Sequence, residues 1–586
     1  MIKMTIILGI NHAFHESSAA IIKNGKIIAA VAEERLNRKK KGKEIRPEDG
    51  DKIPFNSIEF CLEKAKIGYK DVDYWVSSFD PDLRLKKNLH WEEQDKKSKN
   101  KFIKDYRKLY TDKSFGTVSG EVLFYESLMK VPKILKSKGA KGKFHWVQHH
   151  LSHAASAYYP SGFETAAILV ADAGGEYESA WISKGKGDKI KKIHSVKIPN
   201  SLGFLWIKIS QFCGFGYYGA GKLMGLAAYG NPKRFEKEMN ELVQIKNNGF
   251  STNEERIITA TNIFGGIEDL FKIKCNKERL DINHSKFQDY ADIAATLQDK
   301  TDCVLLELTK QVKKLTKYKR LCLAGGIFLN CISNQKIIDS GLFDDIYISP
   351  AATDDGTAVG AALYFYHSIL GNHTKKLVYD WFTGPDYSNE EIEVILSKAK
   401  VKYKKIDAIH REVAKLLQRD MIIAWFQGKA EFGPRALGNR SILANPKYPN
   451  RDRLNAPDIK DREDFRPVCP SVLDGEAQRY FNINSFKQPY YFMLAAVPVR
   501  EEIIGVIRGI EHPDNTSRIQ IVRKTNIKFY NLIKKFRDFT GIGMILNTSF
   551  NSREEPIVNS PLDAVNTFSK CKGIDYLAIG DFLVKR

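Results

Sequence analysis

The stretch TIILGINHAFHESSAAIIKNGKIIAAVA, residues 5–32, decides the fold. Thr5–Ile10 is an apolar run that ends in the polar residues Asn11, His12 and His15. Ala19–Lys23 and Lys26–Ala32 are strand-like runs on either side of Asn24-Gly25. That dipeptide is the strongest short hairpin signal, because both central positions of a type I′ turn need positive φ. The segment reads as strand, polar turn, hairpin. No small-residue cleavage site follows the apolar run, so it is taken as a first β-strand rather than a signal peptide.

The same layout returns at 165–192. TAAILVA leads into Asp172-Ala-Gly-Gly-Glu, then SAWIS and a Gly-rich turn. Two copies point to a duplicated α/β unit, the plan on which actin- and hexokinase-like ATPases are built. Asp292–Leu315 is expected as a long helix. LCLAGGIFLN (321–330) is expected as a buried strand running into a glycine turn, and PAATDDGTAVGAALYFY (350–366) as a loop before a small-residue helix. The pattern breaks over Gly371–Asp386, which sets expected domains at 1–375 and 376–586. Strands and helices alternate beyond that break, with a polar loop expected at 547–557. Leu83–Lys143 is a lysine-rich, helical-looking insertion carrying Trp91, Phe102, Tyr106 and Tyr110. It is either a solvated helix pair with its aromatics in the core or a basic arm over a substrate.

At 586 residues the chain exceeds one ordinary core. Its 43% apolar and 28% charged content excludes a disordered chain. No apolar run approaches the roughly 18–20 residues of a membrane span. Eight cysteines without CxxC pairs exclude a zinc ribbon or disulfide scaffold and fit a reducing cytoplasm. Lys and Arg total 92 against 70 Asp and Glu, a formal +22, with pI near 9.3. Such a surplus can attract nucleic acid or another polyanion; a lysine-rich host accounts for it equally well.

Chemistry gathers in a few segments. VQHHLSHAASAYYPSG stands where a helix would begin, and there His149 and His153, four apart, share one face. The chain has only 13 histidines, yet His145, His149, His150 and His153 fall together. Asp172 follows a strand, and Asp354-Asp355 lies in a Gly-bounded loop. Two imidazoles plus carboxylates suit Fe(II), Mn or Zn. GYYGAGKLMGLAAYG, with Lys222, and LAGGIFLN, with Gly325, Gly326 and Asn330, are glycine turns able to approach a phosphate. In the second half Arg435, Lys460, Arg462, Arg466 and Arg518 sit among glycine, proline and aromatic residues. Their forks match phosphate and carboxylate oxygens. Asn547 and Ser549, in ILNTSFNSREEPIV, add amide and hydroxyl groups for ribose or phosphate.

Taken in order, NHAFHESSAA, HHLSHAASAYYPSG, DAGGE, GAGKLMGLAAYG, AGGIFLN, TDDGTAVGAA, EFGPRALGNRSIL, IKDREDFRP and LNTSFNSREEPIV resemble the O-carbamoyltransferase family nearly end to end. The resemblance implies a duplicated actin-like (ASKHA) N-terminal domain and a YrdC-like α/β C-terminal domain. It implies that the C-terminal domain makes carbamoyl adenylate from carbamoyl phosphate and ATP, with Mg2+. The carbamoyl group then passes to an acceptor hydroxyl in the N-terminal domain. By position, His149, His153, Asp172 and Asp354 become ligands of Fe2+ or another divalent transition metal, and His15 the general base. Arg435, Lys460, Arg466 and Arg518 become the ligands of carbamoyl phosphate and the ATP phosphates. The family's usual His-Asp is His15-Glu16 here, and its Asp-Gly is Asp172-Ala173. The acceptor and the oligomeric state stay open. The charge favours a polyanionic acceptor such as hydroxymethylated pyrimidine in DNA, which would be flipped or single-stranded. The alternatives are a small natural product or sugar, threonylcarbamoyl modification of tRNA, and a non-catalytic actin-like nucleic-acid binder.

Overall fold

In the computed structural model, which describes residues 4–88, 113–247, 249–254, 256–257, 264–373, 377–484 and 488–586, the opening segment folds as read. β1 (Ile6–Asn11) pairs antiparallel with β2 (Ser18–Lys23), Ile6 opposite Lys23 and Asn11 opposite Ser18. β2 turns at Asn24-Gly25, both at positive φ, into β3 (Lys26–Ala32). β4 (Tyr74–Ser77) and β5 (Lys143–Trp146) add in parallel, giving the order β3-β2-β1-β4-β5.

The second sheet repeats this plan. β6 (Thr165–Ala171), β7 (Glu178–Lys186) and β8 (Lys189–Lys197) form the antiparallel trio. A small hairpin, β9 (Val243–Lys246) and β10 (Gly249–Thr252), stands apart. β11 (Arg320–Ala324) and β12 (Asp345–Ile348) then complete the order β12-β11-β6-β7-β8, parallel on the β6 side. Equal order and equal strand directions make the duplication a fact of topology, as the actin-like expectation requires.

The strands at the centre of each sheet are buried on both faces, so they read as near-continuous apolar runs. On one face of the first sheet Ile6, Leu8, Ile10 and Val31 pack with Phe60 and Leu62 of the Phe55–Ala65 helix. On the other lies the Thr357–Tyr364 helix, TAVGAALY. Its small residues are needed because it also meets the His149–Tyr158 helix. A Cβ on Gly360 would stand 1.8 Å from the Ser152 carbonyl oxygen. The expected Asp292–Leu315 helix runs longer, over Phe287–Thr316, with Lys317 ending it in the left-handed conformation. The insertion is helical at its described ends, Pro81–Asn88, Val118–Met129 and Val131–Ser137. Trp91, Phe102, Tyr106 and Tyr110 lie outside the described residues.

The chain folds as two compact units: Met1–Asn37 with Lys41–Val378, and Arg38–Lys40 with Tyr379–Arg586. The second unit is α/β. Its eight-stranded sheet uses β13 (Tyr403–Lys405), β14 (Ile423–Phe426), β15 (Arg440–Ala444), β16 (Cys469–Leu473), β19 (Gln520–Val522), β20 (Met544–Ser549), β21 (Tyr576–Ile579) and β22 (Phe582–Lys585). The order is β13-β22-β21-β14-β15-β20-β16-β19, and β17 (Ala496–Pro498) with β18 (Thr516–Arg518) forms a separate ladder. The Ile409–Gln418 and Ile527–Thr540 helices bury Val413, Leu417, Phe529 and Phe536 against Trp425 and Leu443. The expected polar loop at 547–557 starts later. β20 keeps pairing with β15 out to Ser549, because Met544–Leu546 anchor that strand in the core.

Among the described residues no helix is long and apolar enough to cross a membrane. Among the described residues no disulfide joins any of the eight cysteines.

Candidate active site

In the first unit the chemistry collects at the C-terminal ends of the central parallel strands. The loop after β1 carries His15, the end of β6 leads into Asp172, β11 leads into Gly325, and the loop after β12 reaches Asp354. His149 opens the His149–Tyr158 helix, and His153 follows one turn on. Gly325 has φ +99°, and a Cβ there would lie 2.2 Å from the Ala171 carbonyl oxygen. Only glycine turns the chain at that point. Its neighbour Gly326 donates its N–H to Asp172 Oδ1 at 3.1 Å, which fixes that carboxylate.

His149, His153, Asp172 and Asp354 converge, each offering one donor atom, all within 4.8 Å of one another. His149 Nε2 is 3.1 Å from His153 Nε2 and 3.3 Å from Asp172 Oδ2. Asp354 Oδ1 is 3.4 Å from both ring nitrogens. Nitrogen and oxygen bonds of about 2.0–2.2 Å to a first-row ion place neighbouring donors roughly 3–3.6 Å apart, so the set fits such an ion. His153 is fully buried, and its Nδ1 has no hydrogen-bond partner among the described residues. Burial opposes charge on both rings, yet Asp354 and Asp172 hold His149 well above the ordinary imidazole range. Conversely, despite burial, hydrogen bonds from His149 and His153 hold Asp172 well below the usual carboxylate range. His150, by contrast, is pushed down to about 3 by burial and by His149. It is a core histidine.

His15 borders this cluster. Its Nδ1 is 3.7 Å from Asp354 Oδ2 and 3.6 Å from Glu16 Oε2. Glu16 adopts φ +52°, accepts the Asp354 N–H at 3.1 Å and pairs with Lys41. Tyr218, half-exposed, meets the His15 ring edge-to-face at 5.7 Å, and Lys41 stands over Tyr218 at 5.1 Å. Lys41 and Tyr218 are not singled out by sequence. Glu16 is named there as the acid in place of the family's usual aspartate.

The other turn residues of this unit divide. Lys222 lies in the Ala220–Ala227 helix, its ammonium over the Phe215 ring at 5.9 Å. The Asn330 amide is already engaged: it caps the Cys331–Asp339 helix through the Ser333 N–H and pairs with Gln298 at 2.9 Å.

The second unit holds a separate cationic pocket. Lys460 is 1% exposed, and its ammonium donates to Ser549 Oγ, to the Asn551 carbonyl and to Asn551 Oδ1. Arg462 donates to Thr548 Oγ1 at 3.3 Å and to Ser549 Oγ at 3.5 Å. Burial, then Arg462 and Arg466, push Lys460 well below its usual range. Burial and Arg466 push Arg462 down to about 9. Arg466 is lowered by burial and by Arg518, and Arg518 donates Nε–H to Cys469 Sγ at 3.0 Å. Mutually destabilised, desolvated cations are what an anion site needs. Arg435 rides on the 431–440 loop. Glu431 Oε1 accepts the N–H groups of Leu437, Asn439 and Arg440, while Gln520 and Asn547 bond the carbonyls of Leu437 and Ala436. Asn547 thus supports that loop. Asn551 escapes the sequence reading. Its signal is the matched spacing of Lys460-x-Arg462 and Ser549-x-Asn551.

Fold and sites define a two-unit α/β protein with a His2Asp2 cluster in the first unit and a buried cationic pocket in the second. The family model described as Carbamoyltransferase N-terminus matches residues 6–363, and Carbamoyltransferase C-terminus matches residues 414–586. The chain therefore belongs to the carbamoyltransferase family and is a carbamoyltransferase. It is 34% identical to nodulation protein NolNO of Sinorhizobium fredii, over 98% of this chain and 80% of that one. It is 29% identical to the 3'-hydroxymethylcephem-O-carbamoyltransferase of Amycolatopsis lactamdurans, over 63% of this chain and 65% of that one. Full-length HypF, solved in a phosphate- and nucleotide-bound form, is similar at 14% identity and TM-score 0.31, over 64% of this chain and 56% of that one.

Proposed function

We propose that the protein makes carbamoyl adenylate from carbamoyl phosphate and ATP in its second unit and uses it in the first to carbamoylate a hydroxyl of a small molecule. The observation that carries this is the presence, in one carbamoyltransferase chain, of a buried cationic pocket and a separate histidine–carboxylate cluster with His15 beside it.

Carbamoyl phosphate loses phosphate to water, leaving carbamate. Carbamate oxygen attacks the α-phosphorus of ATP and pyrophosphate leaves. Lys460, Arg462, Arg466, Arg518 and Arg435 hold the phosphate oxygens through these changes of charge. In the first unit His15 takes the acceptor's proton. The acceptor oxygen bonds the carbamoyl carbon, and the bond to AMP breaks. Imidazole suits that role near neutral pH. His149, His153, Asp172 and Asp354 would hold an Fe2+ or similar divalent ion, which when bound supplies Lewis-acid stabilisation to phosphate charge.

Small-molecule acceptors are supported by the name of the cephem enzyme, which acts on a hydroxymethyl group. The net charge of +22 supports a second reading, a hydroxymethylated nucleic acid. Mass spectrometry for an added carbamoyl group across hydroxylated acceptors, including hydroxymethylated DNA, separates the two. Pyrophosphate release that needs ATP alone, or threonine and bicarbonate, would overturn both.

A further inference from the structure

The lysine-rich insertion leaves the first sheet after β4, and its root is the Pro81–Asn88 helix. Arg84, in that helix, forms a two-armed pair with Glu121: Nε to Oε2 at 2.7 Å and Nη2 to Oε1 at 2.7 Å. Glu121 is 2% exposed and also accepts the Gly116 N–H, so the fork ties the two described ends of the insertion together. The third arm, Nη1, donates to the Gly175 carbonyl at 3.1 Å, in the loop that follows Asp172. The guanidinium lies over the Phe14 ring at 5.2 Å, and Phe14 is the chain neighbour of His15. Phe14 in turn packs on Phe79, Phe115 and Phe124. Glu176 reinforces the junction: one oxygen accepts the N–H of Asp80, at the head of the root helix, and of His149, at the head of the histidine helix.

Arg84 therefore touches the side chain next to His15 and the loop that follows Asp172. A planar fork stacked on an aromatic face and bonded on three sides has one orientation, which an ammonium cannot copy. We propose that Arg84 is a positioning residue of carbamoyl transfer, fastening the root of the insertion onto the loops that carry His15 and Asp172. This rests on the reading of His15 as the group that receives the acceptor proton.

The test uses the full chain with Arg84→Met, Arg84→Lys and Glu121→Gln. Pyrophosphate release from ATP and carbamoyl phosphate reports the first half-reaction. Transfer to glycerol, supplied in large excess as a simple hydroxyl probe, reports the second. Arg84→Met is expected to lower kcat for transfer by about tenfold to 100-fold, with little change in KM for glycerol and pyrophosphate release intact. Arg84→Lys should recover part of that loss and Glu121→Gln should fall between them. Hydrogen exchange supplies a readout independent of turnover: amides 12–16 and 173–176 should lose protection together in Arg84→Met. Unchanged protection in either loop, or an equal fall in both half-reactions, overturns the positioning role. A wild-type protein that releases no pyrophosphate would sink the adenylate reading instead, and exchange would still judge Arg84.

Discussion

His149 Nε2 and His153 Nε2 face one another at 3.1 Å, with Asp172 and Asp354 oxygens 3.3–3.7 Å from them. Two imidazoles aimed at one point, each ringed by the same two carboxylates, form a preassembled donor set. Purified protein should carry about one divalent transition ion per chain, measured by elemental mass spectrometry. His153→Ala should cut that content by about tenfold or more, and a chelator should lower the wild-type Tm but not that of the variant. Equal metal content in the two proteins would remove the site.

His15 reaches Asp354 and Glu16 with one ring nitrogen and lies outside the four-donor set. His15→Asn should leave pyrophosphate release and bound metal unchanged while transfer falls by about 100-fold or more. Loss of metal in that variant would make His15 a structural member of the cluster.

The sequence exposed what depends on short range. The β2–β3 hairpin was legible because Asn24-Gly25 encodes its own turn. The histidine pair was legible because a helix brings residues four apart onto one face. Convergence was harder to see. Asp172 and Asp354 stood out as acids in turns, but it takes the β6–β11–β12 ladder to bring them together. Arg84 over Phe14 and Lys41 beside Glu16 are long-range contacts with no local pattern, so no reading of spacing finds them. Asn330 shows why a local pattern leaves roles open: an amide beside a glycine turn suits a phosphate and a helix cap equally, and here its nitrogen donates to Gln298 while its oxygen accepts from Ser333.

Gly360 lies where the Thr357–Tyr364 helix packs on the His149–Tyr158 helix. A Cβ at 1.8 Å from the Ser152 carbonyl cannot be absorbed by a side-chain rotation, since both partners are helix backbone. Gly360→Ala should force the histidine helix away from the Thr357–Tyr364 helix, and with it His153 from Asp354. The expected cost is about 2–3 kcal/mol, seen as a lower Tm by calorimetry together with reduced metal content. A variant with wild-type Tm and metal would show that the helices can part freely.

Lys460 couples function to stability with a defined sign. Its folded pKa lies well below the ordinary 10.5, through burial and the nearby arginines. From pH 10.5 downward the unfolded chain binds a proton that the folded chain resists, so this group lowers stability as pH falls through that window. Lys460→Met should therefore raise the Tm near neutral pH and reduce its rise as pH climbs toward 10.5, while abolishing pyrophosphate release. Inorganic phosphate should raise the Tm of the wild type and leave Lys460→Met unmoved. A lower Tm in Lys460→Met would show instead that the bonds to Ser549 and Asn551 outweigh the desolvation of the ammonium.

Glu431 braces the loop that carries Arg435. Its Oε1 gathers three backbone N–H groups at 2.7, 2.8 and 3.2 Å, and the carboxylate is 3% exposed. Bonds to an ionised acceptor are roughly twice as strong as neutral ones, so charge here stiffens the loop that carries Arg435. Gln520 and Asn547 hold the carbonyl side of the same loop, while Glu431 holds its N–H side. Glu431→Gln keeps the shape and an acceptor oxygen but removes the charge. It should raise KM for carbamoyl phosphate by about tenfold, with KM for ATP changed far less. Arg435→Ala should do the same, and the double variant should add little to either single change, because both act on one contact. Additive losses would place Glu431 in the framework of the sheet rather than behind Arg435.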